Sequence, residues 1–402
     1  MRICIIGGGL IGLFSAFYLT EKGYSVTIVD KGDFSQGASF GNAGMICPSH
    51  FTPLAAPGVV MKSIKWMFND QSPFYIRPRL NTSFLKWCLQ FFRSSNLTNV
   101  KNNTGYLTAL LTYSQQLYLD LEQSGLQMDL QKKGIIMVCN TSHALQEEIA
   151  LSHKANALGL KTNVLNAKEI EMFNPGVEIK SIGGVHFTGD MHLKPAVLID
   201  SIKQILNQRD VTWLPLTEII DFKIIQNKIT AAISNKEEIV ADMFLFAGGA
   251  WSNQMCQRLK LDYLIEGGKG YNITIQEATP QLTTPLILVE GSVAVTPMGS
   301  ALRVGGTMEI AGLDDRIRTS RVTGILNTIE KYLPDYPVSK TKQITPWFGY
   351  RPLSTDGVPI IEKIPKLDNA FINTGHGMLG LSLAPASGKL IEEIISSSKH
   401  SS

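Results

Sequence analysis

Gly7-Gly8-Gly9-Leu10-Ile11-Gly12 separates an apolar run, Arg2 to Ile6, from a helical stretch, Leu13 to Lys22, that Gly23 stops. The run before it suits a parallel strand buried on both faces. A second such run, Ser25 to Val29, ends in Asp30. The hexapeptide is a G-x-G-x-x-G pattern in a strand–turn–helix–strand context, and each glycine has a physical task. Gly7 allows the tight turn, Gly9 lets the backbone approach a pyrophosphate, and Gly12 lets helix and strand pack closely. Free N–H groups around Leu10 and Ile11, where the helix opens, face the phosphates. Asp30 is placed to accept hydrogen bonds from a ribose. An acid there, rather than a base, favours an unphosphorylated ribose, hence FAD or NAD and not NADP.

The rest of the composition agrees with a folded, two- or three-domain protein. The chain has 402 residues, 44% apolar and 18% charged, enough for a sizeable core. Its net charge of +3 is too small and dispersed for an electrostatic nucleic-acid binder. The five cysteines form no C-x-x-C pair, so reduced thiols in a cytoplasm are expected, and neither a disulfide framework nor a metal site. Residues Ile3 to Thr20 have nearly the length of a membrane span. Their glycines bunch at a turn and no cleavage site follows, so they read as strand and helix rather than a signal peptide.

Two further stretches bear on FAD or NAD. Gly375-His376-Gly377-Met378-Leu379-Gly380 repeats the glycine pattern between a strand, Ala370 to Asn373, and a helix, Leu381 to Ser396. Too little chain follows for a second strand and acid. This turn can still aim a helix N-terminus at an anionic group such as a reduced flavin. Met243 to Phe246 reads as a buried strand breaking into Ala247-Gly248-Gly249-Ala250-Trp251.

With these residues in view, the chain resembles the D-amino-acid oxidase superfamily of flavoenzymes, and within it the bacterial D-amino-acid dehydrogenases. The resemblance runs over nearly the whole chain. It includes Ser39-Phe40-Gly41-Asn42-Ala43-Gly44, Ala55-Ala56-Pro57-Gly58, Ile64-Lys65-Trp66-Met67-Phe68, Lys269-Gly270-Tyr271, Arg303 to Thr307 with Glu309, and Gly349-Tyr350-Arg351-Pro352 with Asp356-Gly357. Leu383 to Gly388 is more similar to glycine oxidase. Where glycine oxidase carries a tyrosine before its arginine-glycine-glycine segment, this chain has Ala294, which leaves room for a substrate larger than glycine.

The resemblance implies an α/β, two-domain flavoenzyme fold. A Rossmann-like FAD domain would comprise residues 1–50, 190–265 and 341–402. A mixed-sheet α+β cap over the substrate would comprise 51–189 and 266–340. Expected helices are Met61 to Phe68, Phe84 to Phe92, Thr104 to Ser124, His143 to Leu158 and Met191 to Leu206. FAD, bound noncovalently, would contact the first glycine turn, Asp30, Lys31, Ser39, Asn42, Ala43, Gly44, Thr217, Ala247, Gly248, Trp251, Arg351 and the turn Gly375 to Gly380.

Oxidising an amino acid by hydride transfer from the α-carbon to flavin N5 needs a held carboxylate and a neutral amine. Arg351 is the expected carboxylate clamp, since its guanidinium can make two parallel hydrogen bonds; a structural ion pair with Asp356 is the alternative. Tyr271 and Tyr350 are candidates for a second donor, a pocket wall or packed core positions, and His376 for the flavin edge or an exposed turn. Lys269 is a candidate for the N5 side. The expected reaction takes a D-amino acid, open-chain or cyclic like a D-proline derivative, to its imino acid, with electrons leaving to a respiratory quinone or another non-oxygen acceptor. A glycine- or sarcosine-type oxidase and a non-catalytic FAD-binding subunit are the rivals. Aromatic and basic residues between Lys62 and Arg93, among them Trp66, Phe68, Trp87 and Phe92, suit either the core of the cap with its lysines in solvent or peripheral contact with the inner face of a plasma membrane.

Overall fold

The computed structural model describes residues 1–58, 71–336 and 346–398. The Met61 to Phe68 helix and the Ile64 to Phe68 motif lie outside them.

Arg2–Ile6 is the third strand of a six-stranded sheet ordered Thr212–Leu214, Ser25–Val29, Arg2–Ile6, Met243–Phe246, Ala370–Thr374 and Ile360–Lys363. All pairs are parallel except the last. Three distant segments of the chain therefore meet in one sheet. Its central strands are uninterrupted apolar runs because helices cover one face and a three-stranded antiparallel sheet (Ile219–Ile225, Lys228–Ser234, Glu238–Ile239) the other. The first helix, Leu10–Glu21, starts three residues earlier than the sequence predicted. Leu10 is already helical because Gly9 serves as the N-cap and Ser39 Oγ accepts the Leu10 N–H at 2.9 Å.

The C-terminal helix, Gly380–Ser398, crosses the first so closely that a β-carbon on Gly388 would lie 2.7 Å from the Phe14 backbone. A third helix, Leu97–Gln123, was expected in the cap. It packs on this pair instead, through Leu107, Leu110, Leu111, Ser114 and Tyr118, which recur at helical spacing on one face. Tyr118 donates its hydroxyl to Leu381 O at 2.8 Å and meets Phe14 edge-on.

The second sheet is mixed and nine-stranded. Its order is Trp347–Leu353, Glu266–Ile275, Ala301–Ile310, Val293–Met298, Leu286–Leu288, Ile135–Cys139, Gly183–Phe187 and Thr162–Leu165, with Phe74–Ile76 pairing the end of Ala301–Ile310. Strand Trp347–Leu353 falls in the segment assigned to the FAD domain, yet it hydrogen-bonds along the whole of Glu266–Leu353 to Asn272–Trp347 in the cap sheet. The segment Met191 to Leu206 is not one helix. Met191–His192 pairs with Met45–Ile46, and the helix begins at Pro195, whose missing N–H suits the first turn.

Candidate active site

The junction between the two sheets encloses a cavity of about 1860 Å³. That exceeds the usual range of small-ligand sites, roughly 300–1,000 Å³, and suits an extended ligand with a second molecule beside it. The expected site residues line it except Gly8, Gly12, Lys269 and Gly375. Gly12 and Gly375 shape the backbone from behind. A β-carbon on Gly12 would sit 1.9 Å from Gly7 O, and Gly375 turns at φ +80° against Ser354 and Ile360.

At one end the first glycine turn, Asp30, Lys31 and Thr217 gather. Gly7 has φ +121°, and a side chain there would meet Ala247 O at 2.3 Å, which brings the Ala247–Gly248 turn against the first strand. Asp30 accepts from Gly8 N and Gly32 N, one bond to each oxygen, both 2.7 Å. Each oxygen keeps a second lone pair for a ribose hydroxyl. Thr217 donates its N–H to Asp30 O, and Lys31 Nζ lies 3.7 Å from the centre of the Trp251 ring.

The loop Ser39 to Gly44 is clamped from both domains. Asn42 folds onto it, donating to Ser39 O and accepting from Gly44 N. From the cap, Arg303 donates to Phe40 O and Asn42 O, and Asn272 Nδ2 to Gly41 O. The Trp347 ring lies against Gly41. The roles of Asn272 and Trp347 were missed from sequence, where nothing ties those strands to this loop.

The second helix N-terminus to reach the cavity begins with a 3-10 turn, Gly377–Leu379, before Gly380–Ser398. His376 was expected at the flavin edge or in catalysis. Its ring is buried and tied back to Ser387, with Nε2 2.8 Å from Ser387 Oγ, and burial pushes its pKa down to about 3. It is a neutral imidazole that braces the turn, and its Nδ1 is buried without a protein partner.

Strand alternation sorts the remaining candidates. On Trp347–Leu353, Arg351 pairs with Gly268, so it shares a face with Gly270 and Asn272; Tyr350 pairs with Lys269 and shares the other with Tyr271. Arg351 Nη1 donates to Thr307 O at 2.6 Å and lies 4.0 Å from Met308 Sδ. No carboxylate of the described residues pairs with it, and Asp356 Oδ1 instead accepts from Val358 N. The guanidinium therefore keeps N–H groups for a ligand; burial lowers its pKa to about 10, still cationic at neutral pH.

The tyrosines do not offer their hydroxyls as carboxylate donors. Tyr271 donates to Glu309 at 2.7 Å and Tyr350 to Asp315 at 2.8 Å. Lys269, expected near N5, is fully buried in the same network. It donates to Asp314 O and Arg316 O and lies 3.4 Å from Glu309, which also pairs with Arg318.

Beneath the loop, Cys47, His50 and Asp190 bring side-chain donor atoms within 4.8 Å of one another. Both oxygens of Asp190 already accept from Ser49, one from its N–H at 3.1 Å and one from its hydroxyl at 2.5 Å.

These groups fit FAD. Two helix N-termini open onto one cavity, the glycines clear the backbone where side chains would collide, Asp30 retains acceptor capacity, and His376 Nδ1 is an orphaned polar atom beside the second turn.

Comparison with known proteins agrees. A D-amino acid dehydrogenase of Granulibacter bethesdensis is 30% identical over 98% of this chain and 96% of its own length. One from Helicobacter pylori is 27% identical over 98% and 94%. Among solved structures, glycine oxidase from Bacillus cereus superposes with a TM-score of 0.77 at 20% identity, covering 98% of this chain and 95% of that one. L-proline dehydrogenase from P. horikoshii does so at 0.74 and 19%, covering 98% and 93%. The fold is thus that of two-domain amino-acid flavoenzymes. The model of the DAO family, FAD dependent oxidoreductase, matches residues 2–394, and the chain belongs to that family.

Proposed function

We propose that this enzyme oxidises a D-amino acid to its imino acid and passes the electrons to a quinone or another non-oxygen acceptor. The observation that carries the reading is Arg351, a cation with no carboxylate partner among the described residues, on the cavity face of the cap sheet. It would hold the substrate carboxylate by a two-pronged, charge-assisted bond. Bound FAD supplies the two-electron acceptor for the α-hydride. The chain's own task is orientation and exclusion of water: Arg351 fixes one end of the substrate, and the clamped Ser39–Gly44 loop and the two helix ends fix the cofactor. The D configuration and the dehydrogenase reaction follow the relatives' names.

We hold the cofactor to be noncovalent. Cys47 is the cavity thiol, and burial raises its pKa well above the ordinary value, so it is a poor nucleophile. Lys269, sequestered by Glu309 and two carbonyls, is not presented to the cavity as an oxygen-activating cation, which favours the dehydrogenase over an oxidase. The glycine oxidase-like fold keeps the oxidase as the second reading.

No described helix is long and apolar enough to cross a membrane. Helix Thr82–Ser94 buries Phe84 and Trp87 but leaves Leu85, Leu89 and Phe92 exposed on another face, beside Lys86 and Arg93. That face supports peripheral contact with the inner leaflet, where an acceptor quinone would be met. An anaerobic screen of flavin bleaching over D- and L-amino acids, glycine, sarcosine and 4-hydroxy-D-proline tests the function. Bleaching by D-amino acids with slow peroxide formation in air is expected; bleaching by glycine or sarcosine alone, with peroxide formed as fast as a dye is reduced, would establish the oxidase.

A further inference from the structure

The cavity holds a second polar feature that the carboxylate clamp does not use. Ser49 is buried, and its hydroxyl lies between two groups, 2.5 Å from Asp190 Oδ2 and 3.1 Å from His50 Nδ1. A hydroxyl has one proton to give. Given to the Asp190 carboxylate, it leaves the oxygen free to accept from His50 Nδ1–H. That assigns the tautomer of His50 and leaves its Nε2 as a lone-pair acceptor. His50 lines the cavity, whereas Asp190 is buried behind it. Four residues on, Leu54 packs against the cluster that contains Met308, whose Sδ lies 4.0 Å from Arg351 Nη1, so the segment carrying His50 runs toward the proposed carboxylate site.

An α-amino acid arrives with a protonated amine, and its hydride can leave only after that proton has gone. We propose that His50 is the catalytic acceptor of the substrate's ammonium proton, and that Ser49 and Asp190 are positioning residues that carry the proton away. This rests on the amino-acid-oxidising reading above. In the step, an N–H bond of the ammonium breaks and its electron pair stays on nitrogen. The proton goes to His50 Nε2, the Nδ1 proton passes to Ser49 Oγ, and the Ser49 proton passes to Asp190 Oδ2. One proton is lost by the amine and one gained by the carboxylate; no redox change is involved.

The electrostatics suit the relay. Burial lowers the His50 pKa to about 4, too low to keep a proton, and raises that of Asp190 to about 7, where a general base works best at neutral pH. Close by are Cys47 on the same segment and His192 on the strand after Asp190; His143, Glu147, Glu148 and Arg351 line the same cavity.

The test uses the holoenzyme. Anaerobic flavin reduction by a D-amino acid should accelerate with pH through about 7. Asp190→Asn should lose that limb, and Ser49→Ala and His50→Gln should each slow reduction on the order of a hundredfold. FAD content and the Kd of a simple monocarboxylate should not change. A second readout needs no turnover. Binding of 2-aminoisobutyrate, which has no α-hydrogen and no handedness, should raise a carboxylic-acid band in the infrared difference spectrum that Asp190→Asn abolishes. If no amino acid bleaches the wild type, the function and this proposal both fall. Bleaching that keeps its rate and pH profile in folded, flavin-loaded Asp190→Asn and His50→Gln overturns this proposal alone, as does saturation with 2-aminoisobutyrate without the band.

Discussion

A β-carbon placed on Gly270 would lie 2.3 Å from Nη1 of Arg351. The glycine of one cap strand is the floor on which the guanidinium of the next strand rests. Gly270→Ala must therefore lift or turn Arg351 without changing its charge. Misplacing a binding group by about 1 Å can cost around a hundredfold, and a loss of that order in kcat/KM is expected, with FAD content retained. A Gly270→Ala enzyme with wild-type kcat/KM would show that Arg351 does not hold the substrate in this position.

Direct removal of the clamp should do the same or more. A charge-assisted hydrogen bond contributes roughly 1.5–3 kcal/mol, so Arg351→Ala should lose about a hundredfold or more in kcat/KM. Arg351→Lys should recover part of it, since an ammonium keeps the charge and not the planar fork. Asp356→Asn should be nearly silent, because Asp356 makes no ion pair with Arg351 in the structure. Equal damage from Asp356→Asn and Arg351→Ala, with lowered melting temperatures, would return Arg351 to a bracing role.

The first glycine turn separates two kinds of failure. At Gly12 a β-carbon would collide with the backbone oxygen of Gly7 at 1.9 Å, an atom that cannot swing aside. Gly12→Ala should force helix from strand and destabilise by about 1–3 kcal/mol or more, read by chemical denaturation of the apoprotein. At Gly9 the nearest atom is Ser39 Oγ at 3.2 Å, so Gly9→Ala should fold. Gly9→Asp should also fold yet lose FAD, since its carboxylate would enter pyrophosphate space with like charge. FAD retained by Gly9→Asp would move the pyrophosphate elsewhere.

The contrast between those glycines shows what a sequence can carry. The turn, its flanking strands and Asp30 are legible because they are adjacent in the chain and each obeys a local rule. Arg351 was legible by type and by resemblance. That Tyr350 beside it faces the opposite side was also implicit, in the period of a strand, but required knowing that Trp347–Leu353 is a strand of the cap sheet. Lys269 was a candidate for the flavin and the Tyr271 hydroxyl for the substrate carboxylate because the sequence does not reveal Glu309 and Asp314 behind the sheet. The Ser49–Asp190 contact joins residues 141 apart, and no periodicity announces it.

Helix Thr82–Ser94 carries a prediction about the surface. Leu85, Leu89 and Phe92 are exposed at spacings of four and three, so changing them costs little folding energy. The double variant Leu89→Glu with Phe92→Glu should keep its melting temperature and dye-linked activity while losing co-sedimentation with vesicles containing anionic lipid. Unaltered co-sedimentation would exclude this face as the membrane contact.

Asp190 should leave a signature in stability as well as in catalysis. Its folded pKa stands near 7 against an ordinary value of 3.8, and burial is the main cause. Between those values the native state binds a proton that the unfolded chain has released. Its contribution is therefore fully present below about pH 4 and is lost as pH rises through about 7. A shift of that size corresponds to a few kcal/mol, at roughly 1.36 kcal/mol per unit. The buried histidines act in the opposite sense. His50 and His192, held near 4, and His376, near 3, lose stability as pH falls below about 6.5. The wild-type curve mixes the two, so the measurement is a difference. Subtracting the unfolding free energy of Asp190→Asn from that of the wild type, by urea titration at intervals from pH 4 to 8, should give a term that falls steadily toward pH 7 and then levels. A difference that is flat across that range would mean that Asp190 is ionised throughout, and that the carboxylate behind Ser49 is an ordinary one.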